Sequence, residues 1–136
     1  FGILICSELT DIAARAPLRG NIDLLIIPQW NRDLRSFNAL VESSAIDLHA
    51  YIIQVNNRQY GDSRVRAPAK EEWDRDIVRL KGGRNDYFAI AELDIAALRY
   101  FQTNHISPDK PFKPVPTGFI LNNRRKRIHY KKNQIK

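Results

Sequence analysis

Three short apolar runs alternate with two segments of helical periodicity in the first half of this chain. The apolar runs cover residues 1–5, 23–28 and 51–56, and the helical segments cover residues 8–18 and 33–50. Runs of this length are typical of buried strands. Because strand–helix–strand connections within one sheet join parallel strands through right-handed crossovers, this order predicts an α/β fold.

The second half of the chain predicts an antiparallel extension of the same sheet. Short alternating or apolar runs at 63–67, 76–80 and 87–93 are accompanied by glycine-containing turns, and a helical segment follows at 94–103. Four prolines then predict an extended, Pro-rich arm over residues 107–120. The sheet is therefore expected to be mixed, with parallel strands first and antiparallel strands after them.

Length and composition set broad limits on function. The 136 residues, 43% of them hydrophobic, suit one domain or part of one. No apolar run approaches the roughly 20 residues that span a membrane, so we expect no membrane partner. One cysteine cannot form an internal disulfide, which favours a cytoplasmic protein. The three histidines lack metal-ligand spacing, so we expect no metal, and nothing in the sequence indicates a cofactor.

Positive charge is concentrated at the end of the chain. Seven of the 22 basic residues lie within residues 121–136, which contain no acidic residue, and the other 15 (22 minus 7) balance the 15 acidic residues. Such a tail is typical either of nucleic-acid phosphate contacts or of a solubilising chain end, and both interpretations stay open. The candidate nucleic-acid residues are Arg124, Arg125, Lys126, Arg127, Lys131 and Lys132.

The single cysteine, Cys6, follows the first apolar run and precedes the first helical segment. A sharp strand-to-helix turn exposes the side chain of the turn residue and directs the next backbone N–H groups towards whatever binds there. A thiol at the start of a helix gains thiolate character, which suits a nucleophile. The alternative is a buried structural cysteine beside an apolar strand.

The order of motifs around Cys6 resembles the nitrilase (carbon–nitrogen hydrolase) superfamily. In that family one strand ends in the catalytic cysteine, a Gly-Ala-Asp-type turn leads into a strand that ends near Pro and Trp, and a later strand ends in Asn. The resemblance covers about residues 1–100. The matching segments are Ile5-Cys6-Ser7-Glu8, Gly20-Asn21-Ile22-Asp23, Pro28 with Trp30, residues 45–56, Gly61-Asp62-Ser63, Pro68 and residues 89–94.

This resemblance implies that residues 1–106 form the C-terminal half of a nitrilase-like αββα sandwich. Because the chain also begins inside a strand and lacks methionine, we expect it to be a piece of a longer polypeptide. The resemblance implies that Cys6 attacks an amide or nitrile carbon and forms a thioester, with the backbone N–H of Ser7 at the oxyanion. The family's catalytic Glu and Lys precede the cysteine and have no counterpart in this chain. The resemblance also implies a homo-oligomer that assembles through the helix after the cysteine.

Six further residues are candidates for lining or supporting this pocket. Glu8 would orient the turn or simply complement the start of a helix. Trp30 and Asn31 follow the carboxyl end of a strand, where α/β sheets bind ligands, although Trp30 could equally cap the core. The candidates for supporting roles are Asp47, Asn56 and Ser63. Ser44 and Asp47 stand where the family often has Arg and Glu, so this supporting network is expected to differ.

An arginine-rich stretch follows the third predicted strand and has two interpretations. It could recognise an acidic or phosphate-bearing substrate through bidentate contacts, or it could be a solvated face paired with neighbouring acids. The basic residues concerned are Arg58, Arg64, Arg66, Arg75, Arg79, Lys81 and Arg84.

A narrower resemblance concerns residues 58–64, 73–76 and 81–83 together with the basic extension. These segments resemble the nitrilase-like domain that is fused behind bacterial defence-associated reverse transcriptases. This implies an upstream polymerase domain and a role in antiviral defence. The alternative function is a catalytically inactive nitrilase-like scaffold for oligomerisation or nucleic-acid docking.

Overall fold

A five-stranded mixed sheet organises the chain, in a computed structural model that describes residues 1–104 and 111–126. The strands follow one another in space in the order of the sequence: β1 (Gly2–Ile3), β2 (Leu24–Gln29), β3 (Tyr51–Asn56), β4 (Ser63–Arg66) and β5 (Asp76–Leu80). The first three strands are parallel, and β4 and β5 add to β3 in antiparallel fashion. The predicted α/β class and mixed sheet are therefore confirmed.

Helices and short 3₁₀ turns lie between these strands, and one further helix follows the last strand. The 3₁₀ turns are Cys6–Thr10, Ala16–Leu18 and Glu72–Asp74, and the helices are α1 (Ile12–Arg15), α2 (Leu34–Asp47) and α3 (Ile95–Asn104). Within the described residues, no helix is both long and apolar enough to cross a membrane.

Helix α2 covers one face of the sheet. Its start is set by Asp33, whose carboxylate accepts a hydrogen bond from the backbone N–H of Ser36 at 3.1 Å. Alternate residues of β2 and β3 point towards α2 and are buried with its apolar stripe. This core contains Leu4, Leu9, Ile22, Leu25, Ile27, Phe37, Val41, Ala45, Leu48, Ala50 and Ile52.

The helix predicted over residues 8–18 is wrong in detail, because two residues interrupt it. Asp11 has extended backbone angles (φ −79°, ψ 115°), which end the first 3₁₀ turn. Its carboxylate then caps α1 by accepting the N–H of Ala13 at 2.8 Å. Pro17 has no N–H group and ends this helical region in a second 3₁₀ turn. The segment that follows Cys6 is thus three short turns rather than one helix.

The strand predicted over residues 87–93 is absent. This segment has no regular structure, and Phe88 and Ile90 are 91% and 90% exposed. Alternating apolar residues form a strand only when a sheet edge pairs with them, and within the described residues this segment is paired with none. Its exposed apolar side chains remain beside the sheet without covering it.

The Pro-rich arm is extended where it is described, as predicted. Phe112 forms an antiparallel bridge with Ala69, and the N–H of Lys113 donates to the carbonyl of Pro68 at 2.9 Å. Phe112 packs with Tyr51 and Phe101 in a second apolar cluster under α3. Phe112 therefore anchors the arm in the core, while much of the rest of the described arm stays exposed.

The described start of the basic tail is docked on the protein body. Residues 123–126 form a helical turn in which Arg125 is only 7% exposed. The Arg125 guanidinium donates to the carbonyl of Gly20 at 3.0 Å, to the Oε1 of Gln102 at 2.9 Å and to the carboxylate of Asp23. Arg99 of α3 donates to the same carboxylate. Arg125 therefore secures the tail to the fold and does not present its charge to a phosphate backbone, contrary to its predicted role.

The other tail candidates have different environments. Arg124 and Lys126 are exposed and form no ion pair within residues 1–104 and 111–126. The remaining three candidates, Arg127, Lys131 and Lys132, lie outside the described residues.

Gly20 permits this docking because the tail passes directly over it. A Cβ atom at Gly20 would lie 2.0 Å from the carbonyl oxygen of Ile120, whereas a Cβ at Gly118 would meet nothing within 4 Å. Both glycines have left-handed backbones, with φ of 72° and 74°. We expect Gly20→Ala to destabilise the chain by about 2 kcal/mol more than Gly118→Ala, since only the first adds a backbone clash. Thermal unfolding of the two variants measures the difference, and equal losses would contradict this packing.

Candidate active site

The carboxyl ends of the three parallel strands meet at one edge of the sheet. Cys6 follows β1, Asn56 ends β3, and Trp30 and Asn31 follow β2 between them. The paired register of β2 and β3 places Gln29 opposite Asn56. Ligands of open α/β sheets bind at this edge. The structure thus brings Cys6, Trp30, Asn31 and Asn56 to the same side of the molecule.

Cys6 has a backbone conformation that non-glycine residues seldom adopt. Its φ is 47°, in the left-handed region, and it stands between the extended Ile5 and the first 3₁₀ turn. The thiol is partly exposed. A side chain at such a turn projects from the end of its strand, which is the geometry of nucleophiles on strand-to-helix turns. Strained backbone of this kind clusters at functional sites and costs of order 1–3 kcal/mol.

The hydrogen bonds of the turn leave two backbone donors free. The N–H of Ile5 donates to the Glu8 carboxylate at 2.6 Å, and the N–H of Glu8 donates to the Ile5 carbonyl at 3.0 Å. The N–H groups of Cys6 and Ser7 donate to no acceptor within the described residues. Glu8 therefore holds the turn in place by a capping-box bond. The two free donors at the turn are suited to binding an oxyanion.

Asn56 connects the loops at this edge. Its side-chain oxygen accepts the N–H of Asn31 at 2.9 Å, and its side-chain nitrogen donates to the carbonyls of Asn31 at 3.0 Å and Gly61 at 2.8 Å. The hydroxyl of Ser63 accepts the backbone N–H of Asn56 at 2.9 Å. Asn56 and Ser63 thus fix the backbone around the site, as their predicted supporting role requires.

Trp30 lies at the rim with an aromatic and a cationic neighbour. Its side chain is 71% exposed, so it does not cap the core. The Arg32 Nε donates to the hydroxyl of Tyr60 at 2.8 Å, and its guanidinium carbon lies 5.3 Å from the Tyr60 ring centroid. The nearby Trp30 indole and Arg32 guanidinium lower the pKa of Tyr60 below its usual value.

Asp47, proposed from sequence as a supporting residue, lies at the opposite end of the sheet. Helix α2 runs from the carboxyl end of β2 back to the start of β3, so its last residue is distant from Cys6. The Asp47 carboxylate is about half exposed and lies 3.8 Å from Arg19. The contact between α1 and α2 is instead made by Arg15, which donates to the Ser44 hydroxyl at 3.0 Å.

The arginine-rich stretch is largely paired with acids, and two of its members are buried. Arg64 and Arg66 are 5% and 4% exposed, on the face that α2 covers. Arg64 and Arg79 bind Asp62, and Arg66 binds Asp76 and Glu42. The interpretation as a solvated face paired with acids is therefore correct in the pairing, but Arg64 and Arg66 are buried rather than solvated. Sequence reasoning missed Asp62 and Glu42 as partners, although the two-residue spacing of Arg64 and Arg66 signals a shared strand face.

Gln29 is the residue at this edge that the sequence did not single out. It is 8% exposed, and neither its side-chain nitrogen nor its side-chain oxygen has a hydrogen-bond partner in the described residues. An available signal was its place at the end of an apolar strand, where a polar residue on the buried face is unusual. No group of three or more potential metal ligands occurs in the described part of the chain.

Comparison with known proteins gives no assignment. Neither a scan against protein-family models nor a search of curated proteins finds a match to this chain. The function proposed below therefore depends on the residues and the geometry of the site.

Proposed function

We propose that the chain is the C-terminal half of a nitrilase-like αββα sandwich and that Cys6 is the nucleophile of a carbon–nitrogen hydrolase. The single observation that carries this proposal is the left-handed backbone of Cys6 (φ 47°), in the turn that follows the parallel strand β1. A structural cysteine has no need of a strained, partly exposed position. The resemblance around Cys6 supplies the reaction class.

In the proposed reaction the Cys6 sulfur attacks the carbonyl carbon of an amide. A C–S bond forms, the C–N bond breaks, and the amine leaves with the proton that the thiol has given up. Water then adds to the thioester, releasing a carboxylic acid and restoring the thiol. The N–H groups of Cys6 and Ser7 would bind the oxyanion of each tetrahedral intermediate. The family resemblance implies that a Glu acts as general base and a Lys as a further oxyanion donor, both preceding Cys6 in the full-length protein.

The second face of the sheet supports the sandwich proposal. On the face opposite α2, helix α3 packs near the start of β2 and β3, against Leu24 and Tyr51. The rest of this face carries five apolar residues that are at least partly exposed, namely Ile53, Val55, Val65, Val78 and Leu80. Sandwich folds bury such a face against a second sheet about 10 Å away. A second layer or a second copy would therefore cover it.

Acylation by an activated ester tests the nucleophile without requiring protonation of a leaving amine. On mixing the full-length protein, which would supply the general base, with p-nitrophenyl acetate, we expect a rapid release of p-nitrophenolate equal in amount to the protein. Peptide mass analysis should place the acetyl group on Cys6. Release that is no faster than with the urea-unfolded chain would refute the proposal.

The exposed apolar face also favours the second candidate function, an inactive scaffold that assembles through this surface. Residues 86–89 line a groove of 550 Å³ along it, and exposed Phe88 adds further apolar area. If the chain is an inactive scaffold, its assembly would survive loss of the Cys6 thiol. Analytical ultracentrifugation of wild type and Cys6→Ala, with the acylation assay, distinguishes a scaffold from an enzyme.

We further propose, from the resemblance of residues 58–64, 73–76 and 81–83, that the chain belongs to a cytoplasmic defence-associated reverse transcriptase fusion. The exposed, unpaired Arg124 and Lys126 would be its nucleic-acid contacts in the described tail. Binding of a fluorescent single-stranded oligonucleotide should weaken in Arg124→Ala/Lys126→Ala, and equal binding would argue against this contact.

A further inference from the structure

Trp30, Arg32 and Tyr60 form an aromatic and cationic cluster, here called the rim cluster, on the loops that follow β2 and β3. The Trp30 side chain is 71% exposed, and Arg32 is exposed as well. The Arg32 Nε donates to the Tyr60 hydroxyl at 2.8 Å, and its guanidinium carbon lies 5.3 Å from the Tyr60 ring centroid. An indole ring and a guanidinium are therefore presented to solvent side by side.

Buried hydrogen bonds hold both loops of the rim cluster in place. Asn56, which is 6% exposed, accepts the N–H of Asn31 at 2.9 Å and donates to the carbonyl of Gly61 at 2.8 Å. The N–H of Asn57 donates to the Gln29 carbonyl at 3.1 Å. A large aromatic side chain on a fixed loop loses little conformational freedom when a ligand stacks on it. The loops therefore present the rim cluster in a preorganised form.

The rim cluster contains hydrogen-bond donors that the fold does not use. Arg32 donates through Nε alone and forms no ion pair within residues 1–104 and 111–126, so its Nη groups are available. The Tyr60 O–H donates to no group among the same residues. The nearby Trp30 indole and Arg32 guanidinium lower the pKa of Tyr60, which strengthens this O–H as a donor. Such donors match the oxygens of a phosphate group.

The charge around the rim cluster favours an anionic ligand. Arg32 and Arg35, on either side of the start of α2, are both exposed, and neither has an ion pair in the part of the chain that the structure describes. Asp33, the acid between them, caps α2. Two positive charges beside one carboxylate leave a net positive charge next to the exposed indole, which attracts anions.

We propose that the rim cluster is a nucleotide-binding site, in which a base stacks on the Trp30 indole and a phosphate accepts hydrogen bonds from Arg32 and Tyr60. Stacking on an aromatic ring and attraction of the phosphate by basic side chains are the two contacts through which proteins bind single-stranded nucleic acid. An inorganic anion would leave the indole unused, and an uncharged apolar ligand would leave the guanidinium unused. A free nucleotide and a nucleotide within a single strand present the same base and phosphate.

This site is separate from the other sites proposed for the chain. Trp30 follows the end of β2, whereas the docked tail binds Asp23 before the start of that strand. The contacts of the rim cluster do not involve Cys6, so the inference holds whether or not the chain is a hydrolase.

Photo-crosslinking of the full-length protein tests the proposal. The probes are bromouridine monophosphate, bromouridine without phosphate and a short single strand of bromouridylate, and peptide mass analysis locates the coupled residue. Trp73 is the internal control, because it is 78% exposed but lies between Glu72 and Asp74. We expect bromouridine monophosphate to couple to Trp30 about ten times more than to Trp73, and bromouridine to need about ten times the concentration for half-saturation.

Two variants remove the proposed phosphate contacts one at a time. Arg32→Gln and Tyr60→Phe should each raise the half-saturating concentration of bromouridine monophosphate at Trp30, by about tenfold for Arg32→Gln. Coupling of bromouridine without phosphate should stay unchanged in both. The matched control is Arg58→Gln on the same loop as Tyr60, since Arg58 is exposed but pairs with Asp86 at 3.0 Å. This control should keep the wild-type concentration.

Equal coupling at Trp30 and Trp73 would overturn the proposal, because it would mean that the base stacks on any exposed indole. Equal half-saturation by bromouridine and its monophosphate, or an unchanged value in Arg32→Gln, would also overturn it. If a variant does not fold, the comparison of Trp30 with Trp73 in the wild type decides. Absence of coupling at Trp30 with all three probes would reject a nucleotide and leave the rim cluster to a protein partner.

The single strand and the mononucleotide distinguish the two sources of the ligand once coupling at Trp30 is selective. Half-saturation by the single strand at a lower concentration would assign the site to single-stranded nucleic acid, since adjacent nucleotides add contacts. Half-saturation at the same nucleotide concentration would assign it to a free nucleotide. Both results support the proposed site.

Discussion

Replacing Asp23 with alanine is expected to lower the free energy of unfolding by about 3–5 kcal/mol. The Asp23 carboxylate accepts hydrogen bonds from Arg99 and from Arg125, and Arg125 is almost fully buried. Without the carboxylate, a buried guanidinium keeps its charge and loses its counterion. The substitution therefore removes the contact between β2, α3 and the docked tail at the same time. Urea-induced unfolding followed by circular dichroism measures the loss.

Asp47→Ala is the matched control for this experiment. Asp47 has the same side chain, but it is half exposed and its single ion pair with Arg19 has an N–O distance of 3.8 Å. Exposed pairs of this kind contribute at most about 1 kcal/mol. If the two variants lose similar amounts of unfolding free energy, the contacts of Asp23 with Arg99 and Arg125 do not hold the tail.

The same carboxylate makes stability depend on pH. Burial by itself raises the pKa of Asp23, but the hydrogen bond from Arg99 and the charges of Arg125 and Arg99 together bring it below the ordinary value. A lowered folded-state pKa means that the stabilisation is complete above the unfolded value of about 3.9 and is lost as the pH falls through the folded value. We expect Asp23→Asn to make the free energy of unfolding depend less steeply on pH below about pH 4. Asp62, whose pKa is also lowered, should account for part of the slope that remains.

Cys6→Ala is expected to abolish acyl transfer, with a rate reduction of at least about a thousandfold, while circular dichroism and thermal unfolding stay close to wild type. The thiol is partly exposed and lies outside the buried core clusters, so its removal leaves no large cavity. The matched control is Ser7→Ala at the next residue. Only the backbone N–H of Ser7 is assigned a role, so this variant should retain the activity. Residual acylation in Cys6→Ala would place the nucleophile elsewhere.

The parallel core of the fold could be predicted from the sequence because its signals are local. Strands 51–56 and 76–80 match the predicted bounds, and the alternation of apolar runs with helical segments correctly indicates parallel pairing. Helix α2 was predicted to end at residue 50 but ends at Asp47, since Leu48 caps it and His49 turns into a left-handed conformation. Local periodicity does not encode such a terminal turn.

The errors concern features that depend on distant partners. Residues 87–93 have the alternation of a strand but no edge to pair with, and Arg125 belongs to a basic run but binds Asp23, about a hundred residues away. Neither relation is visible in a window of neighbouring residues. At the candidate site the turn at Cys6 was predicted from its position after a strand. The unpaired amide of Gln29 required the strand register, which sequence alone does not give.

The proposed hydrolase activity requires Cys6 to form a covalent thioester. The direct measurement is to incubate the full-length protein with a panel of carboxamides, quench the reaction in acid and map the peptides by mass. We predict an acyl group on the peptide that contains Cys6, removable by hydroxylamine and absent from Cys6→Ala. A full-length protein that hydrolyses a carboxamide while Cys6 stays unmodified, or that retains this activity in Cys6→Ala, would contradict the account.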